Sequence, residues 1–139
     1  MNHAQNFERY ITQSNIGYDL IPFEDGAKGF RFYQQLENGP QLLLGVLFNA
    51  NDSIVDITVF NIAKITNPLK VEMYLNLLNE LNNQYRYTKF AKVDNEIQAN
   101  YSLPLIENQD ISDIIVELML LVLRSVEDSF PKIMKLQWA

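Results

Sequence analysis

A chain of 139 residues, 47% of them hydrophobic, is of one-domain length and can bury a core without cross-links. It has no cysteine, which excludes disulfides, thiolate nucleophiles, zinc–sulfur sites and iron–sulfur clusters. Seventeen acidic residues against eleven basic ones give a net charge of −6, and the densest basic stretch is the pair Lys132 and Lys135. Phosphate backbones therefore find no cationic footprint, and anionic membranes find no basic amphipathic helix.

The N-terminal stretch MNHAQNFERYITQSN has neither the basic start nor the apolar centre of a signal peptide. The segment Ala4–Ser14 predicts a short helix, with Phe7, Tyr10 and Ile11 on one face. Asn15-Ile16-Gly17 is its predicted end, with Gly17 able to take a positive φ.

From Tyr18 to Ile65 the periodicity becomes two. Tyr18–Phe23 predicts a first strand, closed by a turn at Asp25-Gly26. Phe30, Phe32, Gln34 and Leu36 alternate with Gly29, Arg31, Tyr33 and Gln35, and Asn38-Gly39 signals a hairpin. Gln41–Phe48 is apolar on both faces, as a central strand would be. After the turn Asn51-Asp52, Val55, Ile57 and Val59 share one face of Ser53–Ile65. Phe60 and Ile62 fall out of phase with them, which predicts a bulge near Phe60.

Asn67-Pro68 reads as N-cap and first helical residue. Val71, Tyr74, Leu75, Leu78 and Leu81 form the apolar stripe of the helix that follows, with Leu69, Met73 and Leu77 flanking it; Asn82-Asn83 is its predicted end. Tyr87–Val93 and Glu96–Leu103 form a second hairpin around Asp94-Asn95, closed by Pro104. Ile111–Asp128 is a long helix with Asp110 or Ser112 as its N-cap. Pro131 is expected to end or kink it, with Lys132–Trp138 restarting as helix. Its apolar run, Ile114 to Leu123 broken by Glu117, is shorter than the roughly 20 residues a membrane span needs. These features together predict a soluble cytoplasmic protein.

Catalytic groups are sparse. The one histidine, His3, stands near a terminus expected to fray, and no Gly-x-Ser-x-Gly elbow or phosphate loop occurs. Gly26-Ala27-Lys28-Gly29 reads as a strand-connecting turn. Glu107, Asp110, Asp113 and Glu117 cluster in sequence, either as ligands for a hard cation or as capping and solvating charges. Asp56 and Glu117 lie within apolar patterns, where a buried acid would titrate high. Phe30, Phe32, Phe48 and Tyr101 would line a ligand groove or fill the core. No catalytic, cofactor or metal site is assigned.

The last helix is apolar nearly all round, more than one sheet-facing stripe requires. Either another helix of the chain covers the second face, or another protein does. Leu69, Met73 and Leu77 on the middle helix, with Ile115, Met119 and Val122 on the last, are the candidate interface.

Three stretches resemble a known family: Leu77-Leu78-Asn79-Glu80-Leu81-Asn82 with Tyr85 and Lys89-Phe90; Tyr101-Ser102-Leu103-Pro104-Leu105; and Phe130-Pro131-Lys132-Ile133-Met134. The family is the YbjN type of small bacterial proteins, labelled sensory transduction regulators and similar in fold to type III secretion chaperones. The resemblance covers mainly residues 67–138; the first third matches by element order, and the strand at Tyr18–Phe23 departs from the simplest chaperone pattern. It implies a fold and a regulatory or holding role, and carries over no catalytic residues.

The expectation is one α+β domain over residues 1–139: an antiparallel meander plus hairpin covered by helices, ordered α-β-β-β-β-α-β-β-α and secretion chaperone-like. Its expected role is non-enzymatic: protein binding or adaptor work, as a homodimer or with a protein partner, without cofactor, nucleic acid or membrane. The competing expectation is a regulator sensing a metal through the acidic cluster or a small molecule through an aromatic pocket.

Overall fold

The structure, a computed structural model, describes residues 1–139. The elements are α1 (His3–Gln13), β1 (Asp19–Pro22), β2 (Lys28–Gln35), β3 (Gln41–Phe48), β4 (Ile54–Lys64), α2 (Val71–Gln84), β5 (Lys89–Val93), β6 (Glu96–Pro104) and α3 (Ser112–Trp138). A single 3-10 turn, Pro68–Lys70, precedes α2. The class is α+β, in the order the periodicity predicts. The six strands form one sheet, β1-β2-β3-β4-β6-β5, with every neighbouring pair antiparallel. No helix is long and apolar enough to cross a membrane.

Local chemistry explains most boundaries. Asn67 accepts the Leu69 N–H and Pro68 follows it, as expected for a cap. The bulge falls where the phase breaks: the β4–β6 register shifts between Val59 and Ala63, and Asn61 takes φ +47°. Phe60 stays on the outer face in phase with Asp56 and Thr58, while past the bulge Asn61 is exposed and Ile62 joins Ala63 in the core.

All three helices lie on one face of the sheet. Phe7 of α1 packs edge-on against Phe30, ring centroids 5.0 Å apart, and also meets Phe32 and Phe48. The α3 helix rests on β4 and β6, and α2 on β5. Given the strand order, α3 runs through the middle of the helical layer, with α1 and α2 beside it. Phe30, Phe32 and Phe48 are therefore core, buried with Leu44, Ile57 and Ile97, and Tyr101 packs half-buried against them, whereas Tyr33 of β2 is exposed on the opposite face.

Four expectations need correction. The N-terminus is pinned. Asp52 accepts the His3 and Ala4 N–H groups, while Asn2 and Gln5 form a capping box, so all four donors that a helix start leaves orphaned have acceptors. The α3 helix runs through Pro131 without stopping. Beyond it Ile133 is fully buried, Tyr74 donates to Gln137 at 2.6 Å, and Lys70 donates to the carbonyls of Leu136 and Gln137. These contacts offset the lost backbone bond. The buried face of α2 comprises Tyr74, Leu77, Leu78 and Leu81, and leaves Leu75 exposed, because α2 packs against β5 and α3 together. Finally, α2 continues past Asn82 and Asn83 to Gln84. Asn82 instead clamps β5, its amide donating to the Phe90 carbonyl at 3.0 Å and accepting the Phe90 N–H at 2.6 Å.

Candidate functional site

Four of the six candidate interface residues lie inside the chain's own core. Ile115, Met119 and Val122 face the sheet from α3, and Leu77 faces it from α2. Their burial leaves them no surface to offer a partner. Leu69, at 87% exposure, and Met73 remain outside. The α3 residues that do reach the surface are their neighbours. Ile114 and Leu120 are exposed, Leu118 and Leu121 are half-buried, and Asp113, Glu117 and Arg124 stand among them. Ile114, Leu118 and Leu121 line a depression beside Tyr10 of α1. Periodicity shows a helix apolar all round; only packing says which third faces out.

The acidic residues near the start of α3 do not gather. No group of three or more His, Asp or Glu is placed to hold a metal ion. Asp110 accepts the Ser112 hydroxyl at 2.6 Å and the Ser112 N–H at 3.0 Å. These bonds, the hydroxyl first, hold its carboxyl below the usual carboxylate range. The N-cap is Ile111, not Asp110 or Ser112 as expected: Asp110 stands one residue earlier, and its bonds to Ser112, two residues on, make an Asx turn at the helix entry. The contact to Ser112 is direct, with no imidazole between, so His3 does not complete a hydrolase relay there. Asp56 accepts the Ser102 hydroxyl on the outer face of the sheet. Glu117 is exposed on α3.

The other large surface is the face of the sheet that no helix covers. Strand register sets its rows. Asp19, Arg31, Gly45, Thr58 and Asn100 lie side by side across β1, β2, β3, β4 and β6. Ile21, Gly29, Leu47, Asp56 and Ser102 form the next row, and Tyr33, Leu43 and Phe60 a third. The two glycines leave notches, and aromatic rings lean over both. A Cβ on Gly29 would lie 3.1 Å from Cε2 of Phe23, and one on Gly45 only 2.9 Å from Cε2 of Phe60. Between the rings is a groove of about 480 Å³. A glycine within a strand marks close approach by another group, and that was the signal in the sequence for this site.

Arg31 is the only cation lining the groove. Its Nη2 donates to Asp19 at 3.3 Å, its guanidinium carbon lies 5.7 Å from the Tyr33 ring centroid, and its Nε–H is buried without an acceptor. The sheet edges are less inviting. β1 has four residues and ends in Pro22, while β5 carries Lys89 and Lys92, features that discourage strand addition. A second depression, about 320 Å³ near Leu36 and Pro131, is lined by Glu37, Glu127 and Asp128 against the single cation Arg124, and so is net acidic.

The fold and its surfaces define a three-helix, six-stranded α+β domain with one sheet face open. Comparison with models of known protein families and with curated proteins finds no match.

Proposed function

We propose that this chain is a non-enzymatic protein-binding adaptor domain of the YbjN type that pairs with a second copy through the outer face of α3. One observation carries this reading: after the chain has filled its own core, Ile114 and Leu120 still project from the middle helix of the layer, at 49% and 42% exposure. Apolar residues grouped on a helix face mark contact surfaces more often than chance.

The charges suit a two-fold pairing. Glu117 precedes Leu120 and Leu121, and Arg124 follows them. Two such helices crossing antiparallel about the leucines bring Glu117 of each to Arg124 of the other, as an isologous interface requires. The regulatory or chaperone-like role belongs to the family resemblance over residues 67–138, and cytoplasmic location to the composition. The Asx turn that engages Asp110 favours this reading over a metal-dependent one.

Light scattering on the purified chain tests it. A dimer that becomes monomeric with Leu120→Glu or Arg124→Glu, and returns when Glu117→Arg is combined with Arg124→Glu, supports the pairing. A wild-type monomer at micromolar concentration, or a dimer indifferent to all of these changes, overturns it.

A further inference from the structure

We propose that the open face of the sheet binds a small amphiphilic carboxylate, its anionic head on Arg31 and its apolar body over Leu47 between the rings of Phe23 and Phe60. This site is on the side of the sheet away from α3, so it stands or falls separately from the pairing of the chain.

Shape comes first. Side chains fill a sheet face unless glycine removes them, and Gly29 and Gly45 occupy adjacent rows on neighbouring strands. The groove over them, about 480 Å³, falls within the roughly 300–1,000 Å³ range of small-molecule sites. Half of its lining is apolar, and the rest includes Asp56, Thr58, Gln98 and Asn100. Phe23 and Phe60 are 47% and 40% exposed, and Ile21, Leu43 and Leu47 complete the apolar part. Cover by an apolar chain removes that surface from water.

Charge then selects the head group. A guanidinium has five N–H donors and matches a carboxylate in a two-pronged arrangement. Arg31 uses one donor, on an Asp19 carboxylate that is itself 57% exposed, and such solvated pairs contribute little. Its Nε–H has no partner at all. Asp56, the one anion lining the groove, accepts the Ser102 hydroxyl through Oδ1 and keeps its charge, so an amine is the direct competitor to the carboxylate. The polar group without a partner at the groove is the Arg31 Nε–H, and what it lacks is an acceptor. The net charge of −6 works against indiscriminate anion binding, so a preference for an anion must come from a local cation.

Three ten-carbon probes decide the matter: decanoate, decanol and decylamine, each below its aggregation concentration, titrated into the isotopically labelled full chain and followed by amide shifts. Decanoate should saturate shifts at Gly29, Gly45 and Thr58, and bind about tenfold more tightly than decanol, as one charge-assisted hydrogen bond warrants. Added salt should erode that preference. Arg31→Gln should reduce decanoate to the affinity of decanol and leave decanol unchanged; Arg31→Lys should fall between. The salt series on the wild-type chain keeps the test decisive should a variant fail to fold. Equal affinity for decanoate and decanol, tighter binding of decylamine, shifts confined to Ile114 and Leu118, or an unaltered preference in a folded Arg31→Gln chain would each overturn the proposal.

Discussion

Asp52 accepts the backbone N–H of His3 at 2.7 Å, joining the turn between β3 and β4 to the first residue of α1 across 49 positions of sequence. The same carboxylate takes the Ala4 N–H at 3.3 Å. A negative charge at a helix start also meets the positive end of the helix dipole. The first helix is therefore held at its N-terminus by the sheet it packs on.

Asp52→Ala should cost about 1–2 kcal/mol in urea unfolding, through the lost cap and the strain of alanine at φ +56°. Asp52→Asn should cost less, since asparagine tolerates the left-handed region and keeps one acceptor. An Asp52→Ala midpoint equal to wild type would mean that the contact carries no stability.

Adjacent isoleucines on α3 should behave oppositely. Ile115 is 1% exposed and Ile114 49%. Ile115→Ala should destabilise the monomer by roughly 2–5 kcal/mol, and Ile114→Ala by about 0.5 kcal/mol or less. Equal losses in denaturant titrations would place the helix in a different rotation.

Proline within α3 removes the donor that would meet the Glu127 carbonyl. Pro131→Ala should restore it and raise stability by about 1–3 kcal/mol, read as a higher melting temperature. A lowered melting temperature would imply that the backbone there depends on the ring.

At alkaline pH the Tyr85–Asp128 contact becomes a liability. Burial, then the hydrogen bond to Asp128 and its charge, raise the Tyr85 hydroxyl well above its ordinary value. The unfolded chain loses that proton near pH 10 while the folded chain retains it. Stability from this group is thus whole below about pH 10 and declines as pH climbs toward the folded value. Ultraviolet titration of the tyrosinates should show the highest-pH component vanish in Tyr85→Phe and move down in Asp128→Asn. An unchanged last component in both would assign it to another tyrosine.

Much of this architecture is written in short-range pattern. Alternation marked the strands, Asn38-Gly39 and Asp94-Asn95 marked the hairpins, Asn67-Pro68 marked a helix start, and the phase break at Phe60 marked the bulge. Each depends on residues within a few positions of one another, whose backbone preferences and side-chain period act locally.

Other features depend on residues distant in sequence. Whether Ile115 or Ile114 faces the sheet is decided by the angle at which α3 settles between α1 and α2, because a helix apolar on every side has no period to orient it. That α3 continues past Pro131 is decided by Tyr74 and Lys70, which bond Gln137 and Leu136 across 63 and 66 positions of sequence. The open-face groove exists because register sets Gly45 beside Arg31 and lets the Phe60 ring lie across it. Sequence alone determined the elements and their order, since those are local free energies. Only tertiary structure decided which apolar side chains are hidden and which polar ones lack a partner, since burial is a property of the assembled whole.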